Sequence, residues 1–357
     1  MINGSPSRIF VGAGTWTSAQ QRGALLRQTA GDPQWEPLTR GLPKPVSVQA
    51  ITIHPDNPDI VLVGTQDGPY RTTDGGSTWA RTDFGAGKQV WSITFHPRNA
   101  DVVFAGTSPV GVWRSNDAGA TWTQLANARQ RDRLTMSFPS RVMRLAVVPG
   151  TPDQIYAALE VAGVMRSLDG GETWEDCAEP LVALADRPHL KSKLQSDSEA
   201  EGMLDAHALT VSQAAPDTVF LAVRMGLFRS ADRGRTWEDL EVGRFSPLTY
   251  GRDLRVSPHD PRTLYAALSP AARSEDGSLY RSTDLGRTWA RQDHGVKANS
   301  TMMALALHPR DPEQVYCVSR FAQVFGTRDG GKTWRESRLP DDVKDVYALA
   351  CSWAGPR

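Results

Sequence analysis

Apolar and polar residues alternate in short runs along the whole chain. AITIHP (50–55) and ALALHP (304–309) step with a period of two, and each leads into a turn, PDNPD (55–59) or PRDPE (309–313). After such a turn comes a second run, such as IVLVGT (60–65) or VFAGT (103–107). A short Gly-containing connection then leads to a third, such as GVWRS (111–115). Period-two alternation bounded by Pro, Asp, Asn and Gly predicts strands joined by turns, so an all-β chain is expected. We label the four strands of one unit a, b, c and d.

The c and d strands flank a motif. Six times the chain spells Ser/Thr-x-Asp-x-Gly-x-Thr-Trp: TTDGGSTW (72–79), SNDAGATW (115–122), SLDGGETW (167–174), SADRGRTW (230–237), STDLGRTW (282–289) and TRDGGKTW (327–334). A degenerate seventh copy, QTAGDPQW (28–35), keeps only the closing Trp35. Four short strands in each step of about 45 residues predict a propeller blade. Seven copies predict an all-β, seven-bladed β-propeller of four-stranded antiparallel blades, one domain over residues 1–357. The chain opens on a b-type strand, RIFVGAGT (8–15), and ends on an a-type strand, VYALACSW (346–353). The C-terminal strand is therefore expected to complete the N-terminal blade and close the ring.

The motif has a mechanical reading. Its Asp and Ser/Thr side chains bond nearby backbone amides, and its Gly supplies the positive φ of a tight c–d hairpin. Its Trp packs between blades, which makes seven of the eleven tryptophans structural. Because strand directions alternate, the a–b and c–d turns share one face and the b–c and d–a loops share the other. The long insertions 123–141, 175–205, 238–250 and 290–300 fall between d and a, and 269–278 between b and c. Length confined to one face marks that loop face as the working one. The six box aspartates lie opposite and far apart, so they are read as structural rather than as a calcium or catalytic site.

Charge narrows the function. Forty basic and forty acidic residues give no net charge, which argues against a nucleic-acid or membrane-surface binder. Cys177, Cys317 and Cys351 form no CxxC pair and no disulfide framework, and read as small buried hydrophobes in a reducing compartment. With no basic-then-apolar leader at the N-terminus, a cytoplasmic protein is expected. His54, His96 and His308 recur in the a–b turn, so no metal centre and no cofactor are expected.

Aligned a strands give two rings around the axis. One reads Gln49, Trp91, Met143, His207, Arg252, Met303, Tyr347; two residues earlier, nearer the loop face, runs Ser47, Gln89, Arg141, Asp205, Tyr250, Thr301, Asp345. The b–c loops add Trp16, Gln66, Asp67, Glu160, Arg224 and Arg320. Arg141, Arg224, Arg252 and Arg320 would converge on one funnel, where guanidinium forks suit a carboxylate, sulfate or phosphate. Asp205, Glu160 and Asp345 supply carboxylates for acid–base work or for neutralising the arginines, and His207 a proton-transfer group. Trp16, Trp91 and Tyr250 offer stacking surfaces, and Tyr347 faces the same channel. The competing reading is a satisfied salt-bridge network that plugs the channel.

The eight-residue motif resembles the Asp-box, or BNR, repeat, and the resemblance covers nearly the whole chain. Propellers of this type include sialidases, xyloglucanase-type glycoside hydrolases, sortilin-type receptors and a photosystem II assembly factor. The sialidase likeness implies an arginine triad of Arg141, Arg224 and Arg320, a Tyr250–Glu160 nucleophilic pair and Asp205 as acid. Sialidases have six blades and an N-terminal Arg-Ile-Pro signature, which this chain lacks; xyloglucanase-type enzymes pair two propellers around a cleft, and this chain has one. The expected function is binding of a small polar or anionic, sugar-like molecule, with a glycosidase-like hydrolase or lyase reaction as its catalytic form. The alternative is a non-catalytic binding or assembly propeller that docks a protein partner through 175–205.

Overall fold

A computed structural model describes residues 7–14, 23–130 and 133–355. Seven four-stranded antiparallel sheets form the blades. From the axis outward, blade I runs Val346–Cys351, Arg8–Ala13, Ala24–Thr29, Glu36–Pro37, so its innermost strand comes from the other end of the chain. Phe10 pairs with Ala350 and Val11 with Leu349 across that closing ladder. The a strands of blades II to VII are Val48–Ile53, Gln89–His96, Arg141–Val147, Ala206–Ser212, Tyr250–Val256 and Met302–Leu307. Each touches the a strands on either side, and the cycle of contacts closes on itself.

The b strands Val61–Thr65, Ile155–Glu160 and Leu264–Ser269 are buried along their whole length because they lie between neighbouring blades. Where one crosses the next a strand, the backbones come close: a Cβ at Gly106 would stand 2.4 Å from Val142 Cγ1. Glycine is required there by approach rather than by turn geometry.

All six complete boxes are built alike. In SLDGGETW, Ser167 Oγ donates to Asp169 Oδ1 (2.7 Å) and accepts from the Gly171 amide (2.8 Å). The other end is tied by the Thr173 amide and hydroxyl to the same carboxylate, at 2.9 and 2.5 Å. Two successive residues hold positive φ, Gly170 and Gly171 here; in three boxes the first of the two is Ala118, Arg233 or Leu285. The Trp then reaches the preceding blade: Trp122 Nε1 donates to Thr82 Oγ1, and Trp237 Nε1 to the Cys177 carbonyl. The a–b turns repeat a second device. His54 Nδ1 accepts the Asp56 and Asn57 amides, and His96 Nδ1 those of Arg98 and Asn99.

The 175–205 insertion carries two short helices, α1 (Glu179–Leu184) and α2 (Glu201–Leu204). Leu181, Leu184, Leu190 and Met203 enter one apolar cluster with the strands of blades IV and V. The insertion is thus seated in the core between two blades, and only Leu194 of its larger apolar residues is exposed. Glu201, itself buried, ties the intervening loop by accepting the Leu194, Gln195 and Ser196 amides. The three cysteines are free and buried, and burial pushes the Cys177 thiol up to about 11 and the Cys351 thiol up to about 12. Neither is a thiolate at neutral pH.

Candidate functional site

Every a strand carries one β-bulge near its loop-face end. The register breaks between Val48 and Ala50, Val90 and Ser92, Val142 and Arg144, Ala206 and Ala208, Gly251 and Asp253, and Met302 and Ala304. In the closing strand it breaks as Val346 and Ala348 pair with adjacent residues. The extra residues are Gln49, Trp91, Met143, His207, Arg252, Met303 and Tyr347, the deeper of the two rings read from the sequence. A bulged residue leaves the ladder and is re-aimed, and all seven line one cavity on the axis.

Above this ring, toward the loop face, charges pair. Arg141 Nη1 meets Glu160 Oε2 at 2.6 Å with both side chains buried, and its guanidinium lies 4.4 Å from the Trp91 ring centre and 4.5 Å from that of Phe138. Arg320 Nε meets Asp345 Oδ1 at 2.7 Å, and its Nη1 donates to the Ala272 carbonyl. Arg224 puts both Nε (2.9 Å) and Nη2 (2.7 Å) on the single oxygen Asp205 Oδ2. Asp205 is delivered by the C-terminus of α2, where its amide bonds the Glu201 carbonyl, directly before its a strand begins. Arg252 has no hydrogen bond or ion pair among the described residues, although it is 7% exposed.

His207 joins the second ring to the first. Its Nδ1 lies 2.7 Å from the Gly251 carbonyl, so that nitrogen carries a proton. Its Nε2 stands 3.3 Å from Asp205 Oδ1 and 3.3 Å from the Tyr250 hydroxyl. Burial favours the neutral form of Asp205, but His207, Arg224 and Arg252 outweigh it and hold the carboxyl well below the usual range. Burial raises Glu160, against the pull of Arg141 and with the push of Asp205. Burial lifts the Tyr250 phenol to about 12, so Tyr250 is a hydrogen-bond donor at neutral pH. Two carboxyls in electrostatic contact are therefore driven apart in acidity.

The structure brings together Arg141, Glu160, Asp205, His207, Arg224, Tyr250 and Arg252, with Tyr347 on the cavity wall and Arg320–Asp345 paired beside it. It does not leave a stacking floor of Trp91 and Tyr250. Arg141 covers Trp91, Arg224 sits 5.6 Å from the Tyr250 ring centre, and both aromatics are buried. Trp16 lies outside the described residues. The triad of Arg141, Arg224 and Arg320 is likewise committed, each guanidinium to its own carboxylate. Arg144, Asp253 and Arg255, below the ring, escaped the sequence reading. Their signal was available: Arg144 and Asp253 occupy the position that is Ala50, Ser92, Ala208, Ala304 and Ala348 in the other blades.

The BNR-Asp box repeat family matches residues 227–240, across the fifth-blade box. The chain is an Asp-box repeat propeller. It is 24% identical over 354 residues to xyloglucanase Xgh74A of Acetivibrio thermocellus, an alignment covering 86% of this chain and 35% of that protein. Among solved structures, the propeller resembles the GH74 xyloglucanase of Xanthomonas campestris (TM-score 0.63, 17% identity, 99% of this chain and 55% of that one). It also resembles YCF48 bound to a D1 peptide (TM-score 0.54, 14% identity, 85% and 84%). The chain spans between 19% and 35% of the length of the curated xyloglucanases it matches.

Proposed function

We propose that this propeller binds a small, oxygen-rich, anionic, sugar-like molecule at the loop-face funnel, with Arg224 as anchor and Asp205, His207 and Tyr250 as the proton-handling group of a glycosidase-like hydrolase or lyase. One observation carries the reading: His207 Nε2 stands at 3.3 Å from both a carboxylate held ionised and a phenol held protonated. Neutral His207 accepts from the Tyr250 hydroxyl, and protonated His207 donates to Asp205. The unit can therefore take up a proton at one end while its charge is stabilised at the other. Arg224 spends two donors on one Asp205 oxygen and its side chain is 24% exposed, which leaves part of a planar fork facing incoming ligand. Similarity to xyloglucanase propellers supports a sugar as the substrate class.

The test separates binding from chemistry. Asp205→Asn keeps binding of a sugar acid or xyloglucan oligosaccharide and loses turnover. Unchanged turnover removes Asp205 from the mechanism. A second reading, a non-catalytic binding or assembly propeller, is favoured by one observation: Arg141, Glu160, Asp205, His207 and Tyr250 are all buried and all partnered. On that reading no compound is turned over, and a protein partner captured by the wild type is lost when the 194–198 loop tip is replaced by Gly-Ser.

A further inference from the structure

Below the ring of bulges, on the side of the a–b turns, the seven a strands enclose a cavity of about 50 Å³. Its walls are the ring residues and the residues that follow them on the same strands, Arg144 and Arg255 among them. Polar groups in these walls lack partners. Arg252 makes no hydrogen bond or ion pair among the described residues. Among the described residues, Trp91 Nε1, the Tyr347 hydroxyl and Gln49 Oε1 are buried without a hydrogen bond, as is Arg144 Nε. Arg252, Trp91 and Gln49 are 7%, 3% and 5% exposed, so little bulk water reaches them.

Arginine carries most of the charge on the cavity wall itself. Arg144 Nη2 (2.8 Å) and Arg255 Nε (3.2 Å) share the one carboxylate of Asp253, which also accepts the Leu254 and Leu305 amides. Arg144 and Arg255, whose side chains are 26% and 36% exposed, thus share one carboxylate, and Arg252 meets Glu160 and Asp205 only through space. Buried charge without a counter-charge, and buried donors without acceptors, are each strongly unfavourable. Burial and the neighbouring Arg255 pull Arg144 down to about 10, the direction expected of crowded cations.

We propose that the axial cavity is a binding site for one small monovalent anion, a halide or a planar oxyanion of nitrate or formate size, seated on the Arg252 guanidinium. Trp91 Nε1–H and the Tyr347 hydroxyl supply further donors, and Gln49 Oε1, an acceptor, takes a water bound beside the anion. The volume admits a few heavy atoms and excludes a sugar ring. The site therefore lies below the funnel, shares His207 with it as a wall residue, and does not need the reaction proposed there. The anion would fasten all seven blades where their innermost strands meet.

Crystals of the wild type grown in sodium bromide, measured at the bromine absorption edge, test the site directly: an anomalous peak is expected in the cavity beside Arg252, and its absence overturns the proposal. In solution, sodium bromide or sodium nitrate should raise the melting temperature saturably above the sodium salt of the bulky sulfonate MES at equal ionic strength. Arg252→Met should lose that rise, and Trp91→Phe should weaken it if Arg252→Met does not fold. Arg224→Ala, at a residue outside the cavity lining, should keep it. An equal rise in MES, or a full response in Arg252→Met, contradicts the proposal.

Discussion

Each box aspartate holds its hairpin through hydrogen bonds that only the ionised carboxylate accepts in full. The Thr173 hydroxyl first, then its amide, draws Asp169 down to about 2 from an ordinary 3.8, and Thr333 does the same to Asp329. A folded-state value below the unfolded one means stabilisation that is complete above roughly pH 4 and lost as the pH falls toward 2. Melting temperature should therefore drop through that window, and Asp169→Asn should make the drop shallower. A melting temperature flat between those limits would show that the boxes add nothing as ions. At this scale much was legible. Ring residues stood out because Trp, His, Arg and Tyr replace one another where the repeat has no packing reason to vary. The bulges were not legible, since a one-residue register shift leaves no mark on an alternating pattern. Nor were the ion pairs: Arg141–Glu160 and Arg320–Asp345 bridge strands and loops whose distances exist only once the blades are folded.

Among the elements, the 175–205 insertion changed most between expectation and structure. Read from the sequence as a loop-face insertion that docks a partner, it packs Leu181, Leu190 and Met203 into the core between blades IV and V. The pattern concealed this because two helices of six and four residues are too short to show a helical period. A segment anchored in that way positions Asp205 rather than swinging over it. Leu181→Ala should cost about 2–5 kcal/mol, whereas Leu194→Ala, at an exposed site, should stay within about 0.5 kcal/mol. Denaturant unfolding of the two variants checks the contrast, and equal small effects would mean that the insertion is loosely docked.

For the molecule as a whole, closure and site are linked. Val346–Cys351 is the innermost strand of blade I, and it carries Tyr347 into the ring with Asp345 just before it. A chain ending before Val346 should lose both the closing ladder and that sector of the axis. A single cooperative thermal transition should give way to a broad one, and a sharp, nearly unshifted melt would contradict the closure. Seven blades and their closure were readable because a motif that builds each hairpin must recur once per blade. What binds in the funnel was not readable, because affinity depends on which guanidiniums remain uncommitted after folding. The most direct measurement is calorimetric titration of wild type and Arg224→Ala with a panel of sugar acids. The account predicts saturable binding by the wild type, weakened at least tenfold by Arg224→Ala, a loss of about 1.4 kcal/mol or more. Equal affinity in the two proteins, or no binding by either, would contradict it.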